Sequence, residues 1–375
     1  MKMLIISAFP SSLINFRGDM IRSLYEKGFD IIALSSGATD EEIKEISKIT
    51  NGYIDYNVSR NGINPFEDFI VIIKFILFYK KIKPDCVFAY TIKPVIFGGI
   101  AARVIGVKNF NALITGLGFA FQKGSRKKNI LVNIVTHLYR YALKNARTVI
   151  FQNKDNLNYF VDNNIVDKRK CYLVNGSGVN LDKYKISEEK ISCSKFLLIA
   201  RLLGDKGIRE YAAAAALVKE KYPHSEFHLV GPEDPSPDGI KMTDIMEWHE
   251  KGTVIYHGST SDVRQFIYNA GVFVLPSYHE GLPRTVIEAM AMGKPILTTN
   301  VPGCRETVVS GINGWLVEKG NYIELSERMC WFIENEDLGL AMGRQSYSIA
   351  LEKFDVNKVN EELFRILKVS SEKVV

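Results

Sequence analysis

Short runs of apolar, often β-branched residues alternate along the chain with longer segments of helical periodicity. In the first half the runs are MLIISAF, DIIALSS, CVFAY, NALITG and TVIFQ; in the second they are FLLIARL, EFHLVG, TVIYHG, VFVLPS and PILTT. Continuous apolar runs of this length, flanked by helical segments, predict strands buried on both faces of a parallel sheet. The alternation occurs twice, so the pattern predicts two doubly wound α/β domains facing across a cleft. The polar stretch over 181–194 (LDKYKISEEKISCS) is poor in large apolar residues. It separates a first domain over 1–182 from a second over 191–355. Residues 356–368 (VNKVNEELFRILK) have the spacing of one more amphipathic helix, and the segment 356–375 is expected to pack back toward the first domain.

Composition narrows the class. Hydrophobic residues make up 46% and charged residues 24%, an ordinary globular balance that excludes disorder, collagen and coiled coil. The five cysteines are odd in number and form no C-x-x-C pair, so neither a disulfide framework nor a zinc site is expected. They read as reduced thiols of a cytosolic protein. The apolar stretch 66–79 (FEDFIVIIKFILFY) falls short of the ~20 residues that span a bilayer, and MKMLIISAFPSS has too short an apolar core for a signal peptide. Net charge is +6 over the chain, but residues 1–190 carry +11 and the remainder −5. That asymmetry suggests that the first domain meets an extended anionic surface. Six dispersed histidines and the absence of any Asp-x-Asp give no metal-ligand pattern, so no metal or cofactor is expected.

In open α/β sheets ligands bind outside the carboxyl ends of strands, so the chemistry is sought in the loops that follow them. Arg201 and Lys206 lie five residues apart in IARLLGDKGIREY, between a strand and a helix. Two cations ahead of a helix N-terminus suit a diphosphate, although a solvated loop with incidental charges has the same composition. In VFVLPSYHEGLPRTVIEAMAMGKPILTTN a helix is expected to begin near Pro283. Glu280 then sits in the loop and Glu288 more than a turn into the helix, about 8 Å further along the axis. Two carboxylates so spaced can grip different parts of a polyhydroxyl ligand, with the amides of Gly281 and Leu282 as donors. The bland alternative is helix capping plus a surface charge. His279 beside Glu280 reads as a solvent-facing loop histidine.

The ordered set ARL-x3-KG, EGLP-x4-EAMA-x-GKPI and LVNGSGVNLDKY resembles the family 4 retaining glycosyltransferases of GT-B fold. The likeness extends to the first half through TIKPVIFGGIAARVIGVKNFNALITGLGF, similar to that family's acceptor-side domain. It implies transfer of a sugar from a UDP-sugar, with Arg201 and Lys206 on the donor diphosphate, Glu288 on the ribose and Glu280 on the transferred sugar. Look-alikes in that family add an N-acetylhexosamine such as GalNAc to an undecaprenyl-diphosphate-linked saccharide in bacterial glycan assembly, and the resemblance implies a similar reaction here. The chain departs from the pattern twice. The loop after the first strand is FPSSLINFRG, without the frequent glycine pair, and Thr115 stands where many members carry a histidine. A non-hydrolysing sugar-nucleotide epimerase of the same architecture and a non-catalytic sugar- or lipid-binding protein are the rival readings. A Rossmann dehydrogenase and a Walker A protein lack their glycine motifs here.

On the acceptor side, Asn15, Arg17, Lys93 and Thr115 are candidates for a lipid-linked diphosphate and its sugar. Arg17 at a helix N-terminus opposes the dipole, which suggests that it answers an anion; pairing with Asp19 or Glu26 is the alternative. For the membrane, two basic, apolar segments are candidates: 119–147, where Phe119, Phe121, Arg126, Lys127 and Lys128 combine aromatics with cations, and 66–83, which ends in Lys80, Lys81 and Lys83 but over 69–78 reads first as a core helix packed on the sheet. The expected partners are a nucleotide sugar, a lipid-diphosphate acceptor and an anionic inner-membrane surface, with no nucleic acid. The expected location is cytoplasmic, peripheral on the inner face of the membrane.

Overall fold

The computed structural model describes residues 1–57, 65–117, 126–186 and 189–369, with 65 and 126–128 as helix backbone. The chain divides into two compact units, one formed by Met1–Ser177 with the C-terminal residues from Val359, the other by Gly178–Lys358.

The first unit contains strands β1 (Lys2–Ile6), β2 (Asp30–Ser35), β3 (Gly52–Asp55), β4 (Cys86–Tyr90), β5 (Phe110–Ile114), β6 (Thr148–Phe151) and β7 (Cys171–Leu173). They form one parallel sheet in the order β3-β2-β1-β4-β5-β6-β7, with Leu4 opposite Ile32 on one side and Val87 on the other. Every residue of β4, β5 and β6 is buried, which is why these strands show as unbroken apolar runs. The edge strands β3 and β7 are short and only partly covered, so they carry no such run. Helices α1 (Pro10–Asn15), α2 (Gly18–Glu26), α3 (Asp40–Ser47), α4 (Pro65–Ile82), α5 (Ile92–Ile105), α6 (Arg126–Leu143) and α7 (Lys154–Asp162) complete the unit. Alternate residues of β1 point to opposite faces. Leu4 and Ile6 pack with Phe75, Tyr79, Ile96, Tyr139 and Phe160 of α4 to α7. Met3 and Ile5 pack with Leu13, Met20, Leu24 and Ile46 of α1 to α3.

The second unit contains β8 (Lys195–Ile199), β9 (Glu226–Val230), β10 (Ile255–Tyr256), β11 (Val272–Leu275), β12 (Ile296–Thr299) and β13 (Gly314–Val317), parallel in the order β10-β9-β8-β11-β12-β13. Its helices are α8 (Ile208–Lys221), α9 (Met242–Glu250), α10 (Arg264–Tyr268), α11 (Arg284–Ala291), α12 (Tyr322–Glu334) and α13 (Glu336–Ile349), followed by α14 (Val356–Leu367). Leu363, Phe364 and Leu367 of α14 join the cluster around Met3 and Ile5. The contacts divide the chain at Ser177, a few residues ahead of the polar stretch 181–194. Val179 bonds through its main chain to Phe354 and Val356, and Tyr184 lies in the core of the second unit, so this segment is committed to that unit despite its polarity.

In each sheet the strand order reverses beside the first strand of the unit, between β1 and β4 and between β8 and β11. The carboxyl ends of strands beside such a reversal are the place where doubly wound sheets bind ligands.

The expectation of a plain core helix over 69–78 is half right. Val71, Phe75 and Tyr79 of α4 are buried, but Phe66, Phe69 and Leu77 on its other side are 73%, 58% and 58% exposed. A helix apolar on nearly all sides satisfies a core with one stripe and leaves another to solvent. Among the described residues no helix is long and apolar enough to cross a membrane.

Candidate active site

Arg201 and Lys206 lie in the loop after β8; Glu280 lies in the loop after β11. The two loops are stitched together by the main chain. Tyr278 N and Ser277 Oγ donate to the Asp205 carbonyl at 2.8 and 3.1 Å. Gly207, at φ +71°, makes the approach possible: a Cβ there would fall 2.1 Å from the Pro276 carbonyl oxygen. Lys206 Nζ thereby reaches Glu280 Oε1 at 2.7 Å, with both side chains largely shielded. A third loop fixes the carboxylate's backbone, since Glu280 N donates to Pro302 O and Gly303, at φ +87°, lies so close that a Cβ would fall 2.5 Å from Glu280 O.

Burial pulls the Lys206 ammonium down, and Glu280 with Asp205 more than offsets it, so its pKa is raised overall. Burial raises the Asp205 carboxyl, with Lys206 opposing and Glu280 and Asp238 adding to the rise. Lys206 is therefore a firmly cationic group between two carboxylates. Arg201 is half exposed and has a partner of its own, Asp234, with Nη1 to Oδ2 at 2.6 Å. Asp234 follows β9, the neighbour of β8, which is what brings it within reach of a loop 33 residues earlier.

Pro283 is the N-cap of α11, with Glu288 the fifth residue of the helix and only 5% exposed. Its Oε1 accepts from Arg284 Nε at 2.7 Å. Gly281 and Leu282 are half-buried on the stretch between the two glutamates. His279 is not the solvent-facing histidine expected. It is partly buried, its Nε2 has no accessible surface, and burial lowers its pKa, opposed by Glu280. The loop folds inward because Ser277 ahead of it is buried and bonded.

In the first unit Arg17, Lys93 and Thr115 follow β1, β4 and β5, three adjacent strands of the sheet. Arg17 is 2% exposed, with Nη1 3.5 Å from Gly176 O and its guanidinium 5.9 Å from the centroid of Tyr90. Asn15 is exposed at the end of α1, a helix that Pro10 opens directly after β1 in place of a glycine turn. Lys93 pairs with Asp68 at 3.1 Å, which ties α5 to α4. Thr115 is half-buried. Phe119 and Phe121 lie outside the described residues, as do the side chains of Arg126, Lys127 and Lys128, whose backbone opens α6.

Four residues at the site escape a reading of spacing. Asp205 and Arg284 stand inside the quoted motifs but carry no signal of their own. Tyr184 ends the quoted LVNGSGVNLDKY but lies about a hundred residues from Glu288, beside which the core around Ile287 and Met290 places it, and Asp234 is outside the motifs altogether.

Comparison with known proteins identifies the family. Residues 193–335 match the family described as glycosyl transferases group 1, and residues 7–153 match the glycosyl transferase 4-like family. The chain is 28% identical, over 96% of both chains, to the N,N'-diacetylbacillosaminyl-diphospho-undecaprenol alpha-1,3-N-acetylgalactosaminyltransferase of Campylobacter jejuni. It is 30% identical, over 64% of both chains, to the UDP-Gal:alpha-D-GlcNAc-diphosphoundecaprenol alpha-1,3-galactosyltransferase of Escherichia coli. Among solved structures, Anabaena HepE in complex with UDP is similar in fold at a TM-score of 0.78 and 18% identity, covering 99% of this chain and 100% of HepE. Two Rossmann-like units, two consecutive family matches and the strand-end loops that carry their motifs together make this chain a glycosyltransferase of the GT-B fold, a 4-like domain followed by a group 1 domain.

Proposed function

We propose that the protein is a metal-independent, retaining transferase. It moves an N-acetylhexosamine such as GalNAc from its UDP-sugar to a polyprenyl-diphosphate-linked saccharide, in bacterial surface-glycan or glycoprotein-glycan assembly. The observation that carries the reading is that the loop after β8, with Arg201 and Lys206, is bonded to the loop after β11, with Glu280, which leads into the helix of Glu288, at the switch point of the second sheet. It is supported by a full-length likeness to a GalNAc transferase that acts on a lipid diphosphate. Arg201 and Lys206 take the donor diphosphate and offset the charge that grows on it as the glycosidic bond breaks, the kind of stabilisation that dominates such barriers. Glu280 takes the transferred sugar and Glu288 the ribose. With two cations at the diphosphate and no Asp-x-Asp in the chain, a divalent ion has no assigned task.

In the first unit, Arg17 and the ends of β4 and β5 face the lipid-linked acceptor. The membrane reading gains residues beyond the expected patch. Phe66, Phe69 and Leu77 of α4 and Ile130, Ile134 and Tyr141 of α6 are all exposed, and α4 ends in the exposed Lys80 and a neighbouring Lys81. Apolar side chains rimmed by cations suit the interface of an anionic bilayer on the cytoplasmic side.

The test is a screen of UDP-sugars against synthetic polyprenyl-diphosphate saccharides, with the product linkage and anomeric configuration read by NMR. Release of UDP only with lipid acceptor and retention of the α configuration support the reading. Epimer formation from the donor alone replaces it by the epimerase, and no turnover with any pair replaces it by a binding protein.

A further inference from the structure

Glu288 is a buried carboxylate held from two sides. Arg284, the first residue of α11, lies one turn ahead of it and donates through Nε at 2.7 Å; the two side chains are 18% and 6% exposed. A cation in the first turn of a helix has the wrong sign for the helix dipole, and a buried carboxylate without a partner is strongly disfavoured. Each of the two charges removes the other's penalty. On another side stands Tyr184, 5% exposed and part of the same core as Ile287 and Met290. Burial first, and then the neighbouring Glu288, drive its phenol pKa upward, as expected for a hydroxyl that stays protonated beside a carboxylate. A carboxylate offers about four lone-pair positions, so these two partners leave acceptor capacity for a vicinal diol.

We propose that Arg284 and Tyr184 are positioning residues that set the Glu288 carboxylate for the ribose hydroxyls of the donor nucleotide. The proposal rests on the reading of Glu288 as the ribose contact. Arg284 fixes the rotamer and balances the charge; Tyr184 donates a hydrogen bond that keeps one lobe of the carboxylate directed inward. Neither residue is assigned to the diphosphate or the transferred sugar, so their loss is expected to be felt only by ligands that carry a ribose.

The experiment is calorimetry with two probes, UDP and inorganic diphosphate, on the full chain and on Glu288→Gln, Arg284→Gln, Arg284→Lys and Tyr184→Phe, with Tm recorded for each. Arg284→Gln is expected to raise the Kd of UDP about tenfold, and Tyr184→Phe about threefold, while diphosphate affinity stays within about twofold. Arg284→Lys recovers part of the loss. In a double-mutant cycle Arg284→Gln adds nothing once Glu288 is Gln, because it acts through that carboxylate. Full additivity of the two substitutions, or an equal loss of both probes, overturns the positioning role and leaves the ribose reading standing. A Glu288→Gln protein that binds UDP like wild type removes the ribose reading and this proposal with it. Tyr184→Phe changes a single hydroxyl and tests the proposal even where an arginine variant does not fold.

Discussion

Lys206 Nζ lies 2.7 Å from Glu280 Oε1, so the cation assigned to the donor diphosphate and the carboxylate assigned to the transferred sugar are partners in the same ion pair. Arg201 is likewise engaged with Asp234. A diphosphate entering this site exchanges carboxylate for phosphate on both cations. On the roles proposed for them, the two glutamates differ in how they act on nucleotide affinity: Glu280 competes for the cation proposed to bind phosphate, and Glu288 does not.

Separating the glutamates by calorimetry follows directly. Glu280→Gln leaves UDP affinity unchanged or raises it by up to about tenfold, since a competitor for Lys206 is gone, while sugar transfer falls. Glu288→Gln weakens UDP and UDP-sugar alike. Equal weakening of UDP by both variants contradicts the division of roles.

The clamp itself is tested by Arg201→Ala and Lys206→Ala. Each is expected to lose about 2 to 4 kcal/mol of transition-state stabilisation, or roughly 30- to 1000-fold in kcat/KM, with a far-UV spectrum like that of wild type. Near-wild-type kcat/KM in either variant removes that cation from the mechanism.

Chelation addresses the metal question. Transfer measured with EDTA is expected to match transfer without it; activity that vanishes under EDTA and returns with Mn²⁺ overturns the two-cation site.

Lys294, in the GKPI segment, gives a pH prediction. It is 5% exposed, and burial pushes its pKa down to about 8 from 10.5. Between pH 8 and 10.5 the unfolded chain holds the proton that the folded chain has released, so this group makes stability rise with pH across that window. At pH 7 both states are charged and the penalty is fully present. Lys294→Met should raise Tm at pH 7 by a gain that fades as pH approaches 10.5, with transfer unaffected. The hydrogen bond from Nζ to Tyr268 O at 2.9 Å limits the gain to about 1–3 kcal/mol. A Tm difference that does not change with pH rules out charge burial as its source.

The membrane surface is tested by co-sedimentation with anionic and neutral liposomes at low and high salt. Two variants are compared, Arg126, Lys127 and Lys128 all to Glu, and Phe69 with Leu77 to Glu. Both are expected to lose binding to anionic vesicles, and only the wild-type interaction to be salt-sensitive at about 1 kcal/mol per cation. Binding that ignores lipid charge and both variants removes the surface from the model of action.

Periodicity alone determined the fold class of this protein and most of its strands. Strands such as CVFAY and VFVL are buried on both faces, and a segment with no solvent side has no choice of pattern. Where burial is one-sided or partial, as in β3, β7 and β13, the pattern fades and only strand pairing defines the element. The candidate cations and glutamates were legible for a related reason: they stand in the strand-to-helix segments that follow unbroken apolar runs, where a sheet must present its carboxyl edge. What the tertiary structure alone decided is partnership. Glu280 meets Lys206 from 74 residues away, and Asp234 meets Arg201 from 33 residues away. Parallel pairing of the non-consecutive strands β8 and β11 sets the first two loops side by side, and pairing of the successive strands β8 and β9 sets the second two. Tyr184 reaches Glu288 through a core contact across about a hundred residues, and the exposed stripe of α4 is distinguished from its buried one only by which side the sheet occupies. Long-range pairing of this kind follows from how strands are ordered, and no local spacing encodes that order.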